Sequence, residues 1–110
     1  MFEVSVEYSF AAGHALRGYK GKCENVHGHN YKVRVTVAGH HLNPAGLLMD
    51  FAELRASIKR LGEVLDHRFL NEISPFDQVN PSAENIAKYF CEGLEAPIRA
   101  QGLRVECVTV

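Results

Sequence analysis

His27 and His29 flank a glycine in the run Val26-His27-Gly28-His29, and His14 follows an alternating segment near the N-terminus. In a strand, residues two apart point to the same face about 6.5 Å from each other, so His27 and His29 aim together while Gly28 leaves the opposite face empty. If the segments before and after form an antiparallel hairpin, the end of the first lies beside the start of the second. His14 is then carried toward His27 and His29. Three neutral nitrogen donors and one open position make a catalytic zinc site, whereas structural zinc is closed by four protein ligands, usually including thiolates. The chemistry expected is therefore that of a divalent metal, zinc, acting on a small molecule at the open position. The bland alternative is three separately satisfied histidines in a polar loop.

Two further groups belong to the same reading. Cys23 lies four residues before His27, inside the intervening stretch. Beside a cation its thiol pKa falls, making it a usable base or nucleophile; it could equally be a fourth ligand, or a loop thiol with no role. In Asp66-His67 a carboxylate directly precedes an imidazole and can fix its tautomer for proton transfer. The competing reading is a helix-terminal histidine beside a solvated aspartate. His40 and His41 precede Asn43-Pro44, read as an exposed turn, and are given no role. Cys91 and Cys107 are expected to be small core residues. Without a CxxC pair, the three cysteines fit neither a disulfide framework nor a thiolate zinc knuckle.

The elements that must position these groups are readable from periodicity. Phe2, Val4, Val6, Tyr8 and Phe10 alternate with Glu3, Ser5, Glu7 and Ser9, and Tyr31, Val33, Val35 and Val37 alternate with Lys32, Arg34 and Thr36. Each is a half-buried strand, and Gly13 to Gly28 reads as the loop between them. Asp50 precedes Phe51, Leu54, Ile58, Leu61 and Leu65, the spacing of an amphipathic helix whose first-turn amides Asp50 can accept from. A second helix is expected from about Ser82, with Ile86, Tyr89, Phe90 and Leu94 inward, and Pro97 limiting its regular extent. Leu103 to Val110 reads as a third strand whose blurred alternation suggests burial on both faces. Two strands, two helices and a strand make an α+β layout on an antiparallel sheet, with an open edge that invites another strand or subunit.

Composition narrows the partners. The 110 residues are the size of one domain, and such a chain buries roughly two thirds of the surface it exposes when unfolded. Hydrophobic residues at 46% and charged residues at 23% suit a globular domain. With 12 basic and 13 acidic side chains the formal charge is −1, so there is no global field to gather nucleic acid or an anionic membrane. No apolar run approaches the ~20 residues that cross a bilayer. The chain is read as cytosolic, with affinity concentrated in a local site.

Cys23-Glu24-Asn25-Val26-His27-Gly28-His29-Asn30-Tyr31, preceded by Phe10-Ala11-Ala12-Gly13-His14 and followed by Met49-Asp50-Phe51-Ala52-Glu53-Leu54, Leu65-Asp66-His67, Leu70-Asn71 and Asn80-Pro81-Ser82-Ala83-Glu84-Asn85, resembles the 6-pyruvoyl-tetrahydropterin synthase and 6-carboxytetrahydropterin synthase family. The resemblance covers nearly the whole chain. It implies a tunnelling fold, in which antiparallel sheets carrying paired helices assemble into a trimeric barrel, often doubled to a hexamer, with active sites between subunits. It implies His14, His27 and His29 as ligands of one Zn2+, Cys23 as a proton-transfer residue, and Asp66 with His67 as its charge-relay partner across the interface. Relatives continue past the third strand into a segment with a pterin-anchoring Glu and a further strand. Residues 1–110 are accordingly expected to form a single tunnelling-fold domain lacking that last strand.

The implied substrate is 7,8-dihydroneopterin triphosphate. In the branch leading to queuosine the products are 6-carboxy-5,6,7,8-tetrahydropterin, acetaldehyde and triphosphate, and the compact chain favours this branch. In the biopterin branch triphosphate is eliminated to leave 6-pyruvoyltetrahydropterin. A folate-related branch carries glutamate in place of the motif cysteine, so Cys23 argues against it. Two readings of other classes stand beside these: a non-catalytic metal-binding module of the same fold, and a zinc hydrolase or hydratase using metal-bound hydroxide, for which Cys23 would be dispensable.

Overall fold

A computed structural model describes residues 1–17 and 27–110. The two alternating segments form β1, Phe2–His14, and β2, His27–Gly39, both longer than expected, so the connection between them is shorter. They pair antiparallel in one unbroken register from Phe2 opposite Gly39 to His14 opposite His27. The alternation sorts their side chains. Val6 and Phe10 of β1 and Tyr31, Val33, Val35 and Val37 of β2 are buried on one face. The other face carries Glu7, which pairs with Arg34 at 2.9 Å and Lys32 at 3.7 Å, and a hydrogen bond between the Ser5 and Thr36 hydroxyls at 2.7 Å.

The helices cover the apolar face. In α1, Phe51–Leu65, Asp50 accepts from the Ala52 amide, and Leu54, Ile58 and Leu65 are fully buried. Phe51, expected inward, is 51% exposed. At ~100° per residue it falls about 50° to the side of the Leu54–Ile58–Leu61–Leu65 stripe. Leu42 and Leu47, in the connection after β2, are exposed as well. In α2, Ala83–Arg99, Ser82 caps through the Asn85 amide, and Ile86, Phe90, Leu94 and Ile98 are buried. Contrary to expectation, α2 runs through Pro97. The proline sits in the last turn, and complete burial of Ile98 beyond it stabilises that turn by roughly 1.5–3 kcal/mol, offsetting the one hydrogen bond that Pro97 cannot donate.

Two strands complete the sheet in the order β3-β1-β2-β4. β3, Arg68–Phe69, pairs parallel with Ala12 and Gly13 of β1. Two residues carry no periodicity, so the sequence does not mark this strand. β4, Arg104–Thr109, pairs antiparallel with β2. Its alternation is blurred by a bulge and not by burial on both faces: Cys107 lies opposite Thr36 and Val105 opposite Val37, which leaves Glu106 as an extra residue. The inward positions therefore switch from Val105 to Val108, both only half-buried. Cys107, expected in the core, is exposed, and Cys91 is partly exposed.

Candidate metal centre

The β1–β2 register sets the site. His27 occupies the position opposite His14, and His29 the position opposite Ala12, two residues along the same ladder. The expected convergence of strand ends is therefore present in the backbone. The His14 and His29 rings meet edge to face with centroids 5.0 Å apart. Cys23 and the side chain of His27 lie outside the described residues. Among the described residues no group of three His, Cys, Asp or Glu side chains is gathered around one point.

His14 is buried at 7% exposure, and its Nδ1 lies 2.8 Å from the Pro81 carbonyl. A carbonyl can only accept, so Nδ1 carries a proton, and in the neutral ring the lone pair is then on Nε2, the form a metal takes. A ring held in this way by a backbone carbonyl is the usual support of a ligating histidine. Tyr31, next along the face, has its ring 5.8 Å from both His14 and His29. Its hydroxyl is buried with no hydrogen-bond partner among the described residues, and burial pushes its pKa up to about 12. The sequence marked Tyr31 only as a strand residue. An imidazole of fixed tautomer, a second imidazole against it and an orphaned buried hydroxyl suit a zinc ion with a further oxygen or nitrogen ligand.

Asp66 and His67 sit where α1 returns to the sheet. Asp66 is the C-cap of α1, and one of its oxygens accepts from the Ala11 amide at 2.9 Å and lies 3.0 Å from His67 Nδ1. His67 takes the left-handed conformation, φ 57°, which swings its N–H onto the Ala11 carbonyl at 2.6 Å. Such a conformation costs a non-glycine residue about 1 kcal/mol or more and persists where surrounding bonds impose it. The pair is thus sewn to β1 at both polar groups of Ala11. The His67 ring is 82% exposed. It lines an open groove of about 530 Å³ with His29, Ala11, Gly13, Gly28 and Asn30. A Cβ added at Gly28 would meet nothing within 4 Å among the described residues, as expected for the face opposite the histidines.

The Ala11 amide, and after it the His67 ring, hold the Asp66 carboxyl below its ordinary range. A carboxyl depressed on folding stabilises the folded state at neutral pH, and that contribution is lost as pH falls through the folded-state pKa, below the usual carboxylate range. In an acid titration followed by NMR, the Ala11 amide is expected to shift with Asp66. In Asp66→Asn, where an amide oxygen keeps the bond, it should stay flat.

The profile of the family described as 6-pyruvoyl tetrahydropterin synthase matches residues 3–110. The chain belongs to this family. The Haemophilus influenzae 6-carboxy-5,6,7,8-tetrahydropterin synthase is 35% identical over 91 residues, 79% of this chain, and the chain spans 61% of its length. The human 6-pyruvoyl tetrahydrobiopterin synthase is 36% identical over 108 residues, covering 84% of this chain and 74% of the human one. The solved 6-pyruvoyl tetrahydropterin synthase of Caenorhabditis elegans superposes with a TM-score of 0.72 at 33% identity, covering 86% of this chain and 78% of that one. The α+β architecture is that of the family's tunnelling fold. No helix among the described residues is long and apolar enough to cross a membrane.

Proposed function

We propose that this protein is a zinc-dependent carbon–carbon lyase that converts 7,8-dihydroneopterin triphosphate to 6-carboxy-5,6,7,8-tetrahydropterin, acetaldehyde and triphosphate, in the deazapurine route to queuosine. The observation that carries the reading is the pairing of His14, in its Nδ1–H tautomer, with His29 at the end of the β1–β2 ladder. The Haemophilus influenzae relative bears the name of this activity.

In this reading His14, His27 and His29 hold one zinc ion, which when bound supplies Lewis acidity toward the oxygens of the substrate side chain. Cys23, four residues before His27, takes and returns protons on that side chain. Asp66 keeps His67 oriented, so that the exposed ring can exchange protons with the thiol. His67 stands on the groove side of the sheet, while His14 is buried on the helix side. A second copy bringing its Asp66–His67 pair to the first copy's histidines completes the site. The sheet supports such assembly: β4 and most of β1 present unpaired outer edges among the described residues, and the face left uncovered by helices is polar. The reading includes a homo-oligomer, trimer or hexamer, acting in the cytoplasm without nucleic acid or membrane.

The human relative is 36% identical and carries the 6-pyruvoyl name, so elimination of triphosphate alone is the second reading. Incubation of the zinc-loaded protein with 7,8-dihydroneopterin triphosphate and mass spectrometry of the products separates the two. A 6-carboxy product with acetaldehyde supports the first and a 6-pyruvoyl product the second, while intact substrate overturns both and returns the chain to the non-catalytic metal-binding module.

Gly28 gives a sharper test of the groove. Gly28→Val adds a strand-favouring side chain where nothing among the described residues stands within 4 Å. Thermal stability is expected to hold, or to rise by about 0.5–1 kcal/mol. KM should rise at least tenfold in steady-state assays, because the new methyls occupy groove space.

A further inference from the structure

The chain leaving β1 continues to be paired on the same side after β3 has ended. Ala12 and Gly13 pair with Arg68 and Phe69. Beyond them the Ala15 amide donates to Asn71 Oδ1 at 2.9 Å, and Asn71 Nδ2 donates back to the Ala15 carbonyl at 2.8 Å. Two residues on, the Arg17 amide donates to Asn80 Oδ1 at 2.8 Å, and Asn80 Nδ2 donates back to the Arg17 carbonyl at 2.9 Å. A primary amide presents one acceptor and one donor side by side, as a peptide group does. Each asparagine therefore makes the reciprocal exchange that a strand neighbour would make.

His14 thus stands between the β3 pairing at Ala12 and Gly13 and the asparagine bonds at Ala15 and Arg17. The carbonyl that fixes its tautomer belongs to Pro81, the residue after Asn80. The Asn80 carbonyl is itself held by Asn85 Nδ2 at 2.8 Å, at the start of α2. The Arg17 guanidinium donates to the carbonyls of Phe76 at 2.9 Å and of Asn71 and Val79 at 3.3 Å, tying the connection from Asn71 to Asn80 against the same segment. Without the Asn80 side-chain amide, the Asn80–Pro81 segment keeps its tie to α2 through the Asn80 carbonyl and loses its two bonds to the Arg17 backbone.

We infer that Asn71 and Asn80 are positioning residues: their side-chain amides stand in for a missing strand and set the aim of His14, and through it the affinity and geometry of the metal centre. The inference deepens the reading of His14 as a ligand and rests on it.

The test uses the whole protein and three measurements: zinc affinity by chelator competition, the visible spectrum of the cobalt-substituted protein, and the His14 tautomer in metal-free protein by nitrogen NMR. Asn80→Ala is expected to weaken zinc binding about 10- to 100-fold, the usual effect of losing a partner behind a ligand. It should also shift the cobalt bands and abolish the single Nδ1–H tautomer. Asn71→Ala shifts all three less, in the same direction. Asn80→Asp keeps the acceptor for the Arg17 amide and loses the donor, so it carries the same test if the alanine variant does not fold. The control is Asn43→Ala, whose side chain accepts from Ala45 and Leu47 in the connection after β2. It should lower the melting temperature and leave the three measurements unchanged. Wild-type affinity, spectrum and tautomer in the Asn80 variants, whatever their melting temperature, overturn the inference. If the wild type binds no zinc, the ligand reading fails instead, and the metal-free tautomer of wild type against variant still decides the positioning role.

Discussion

Replacing Cys23 with alanine is expected to lower single-turnover product formation by about 10²–10⁴-fold, the usual worth of a positioned proton-transfer group, while zinc stays at one per chain. A thiol near a cation has its pKa brought toward neutrality, and alanine can neither take nor return a proton. A metal-bound hydroxide would need no thiol, so activity that survives Cys23→Ala assigns the chain to the hydrolase or hydratase class. Loss of the metal together with activity makes Cys23 the fourth ligand and closes the site. Only metal retained with turnover lost fits the proton-transfer role, which makes zinc content as informative as the rate.

How far the fold was legible depended on the length over which each pattern repeats. The Phe2–Phe10 and Tyr31–Val37 alternations fixed which face each strand buries, and with that the register places His14 opposite His27. Asp50 and Ser82 were readable as helix caps because one side chain and the next few amides suffice. Three features broke a periodic rule locally. The Glu106 bulge moved the inward face of β4 midway and left Cys107 in solvent. Phe51 fell to the side of its helical stripe, and the buried Ile98 carried α2 through Pro97.

The unreadable part of the site has a common physical form. Ala11 is bonded by Asp66 and His67, Ala15 by Asn71 and Arg17 by Asn80, so the end of β1 and the residues just after it are satisfied by single residues from one irregular stretch. No window of sequence has a period there to detect. The cue present in the sequence is the set of Asp and Asn side chains in Asp66-His67, Leu70-Asn71 and Asn80-Pro81, types that exchange hydrogen bonds with backbone. The orphaned Tyr31 hydroxyl was hidden for a different reason: in the pattern it is one more inward strand position, and only the histidines beside it give it a different meaning.

Exposure also decides which ligand substitution tests the metal centre most cleanly. His29→Ala is expected to weaken zinc binding by more than 100-fold, beyond the range for partners behind a ligand, and to remove turnover with it. Because His29 is exposed near the start of β2, its loss should change stability by no more than about 0.5 kcal/mol. His14→Ala would report two effects together. His14 is buried and donates to the Pro81 carbonyl, so alanine leaves that acceptor unmet at a cost of about 1–3 kcal/mol besides removing a ligand. Chelator competition and thermal melting on the two variants should therefore agree in metal affinity and differ in stability. If His29→Ala binds one zinc per chain with wild-type affinity, the three-histidine centre is wrong, and with it the lyase mechanism built on it.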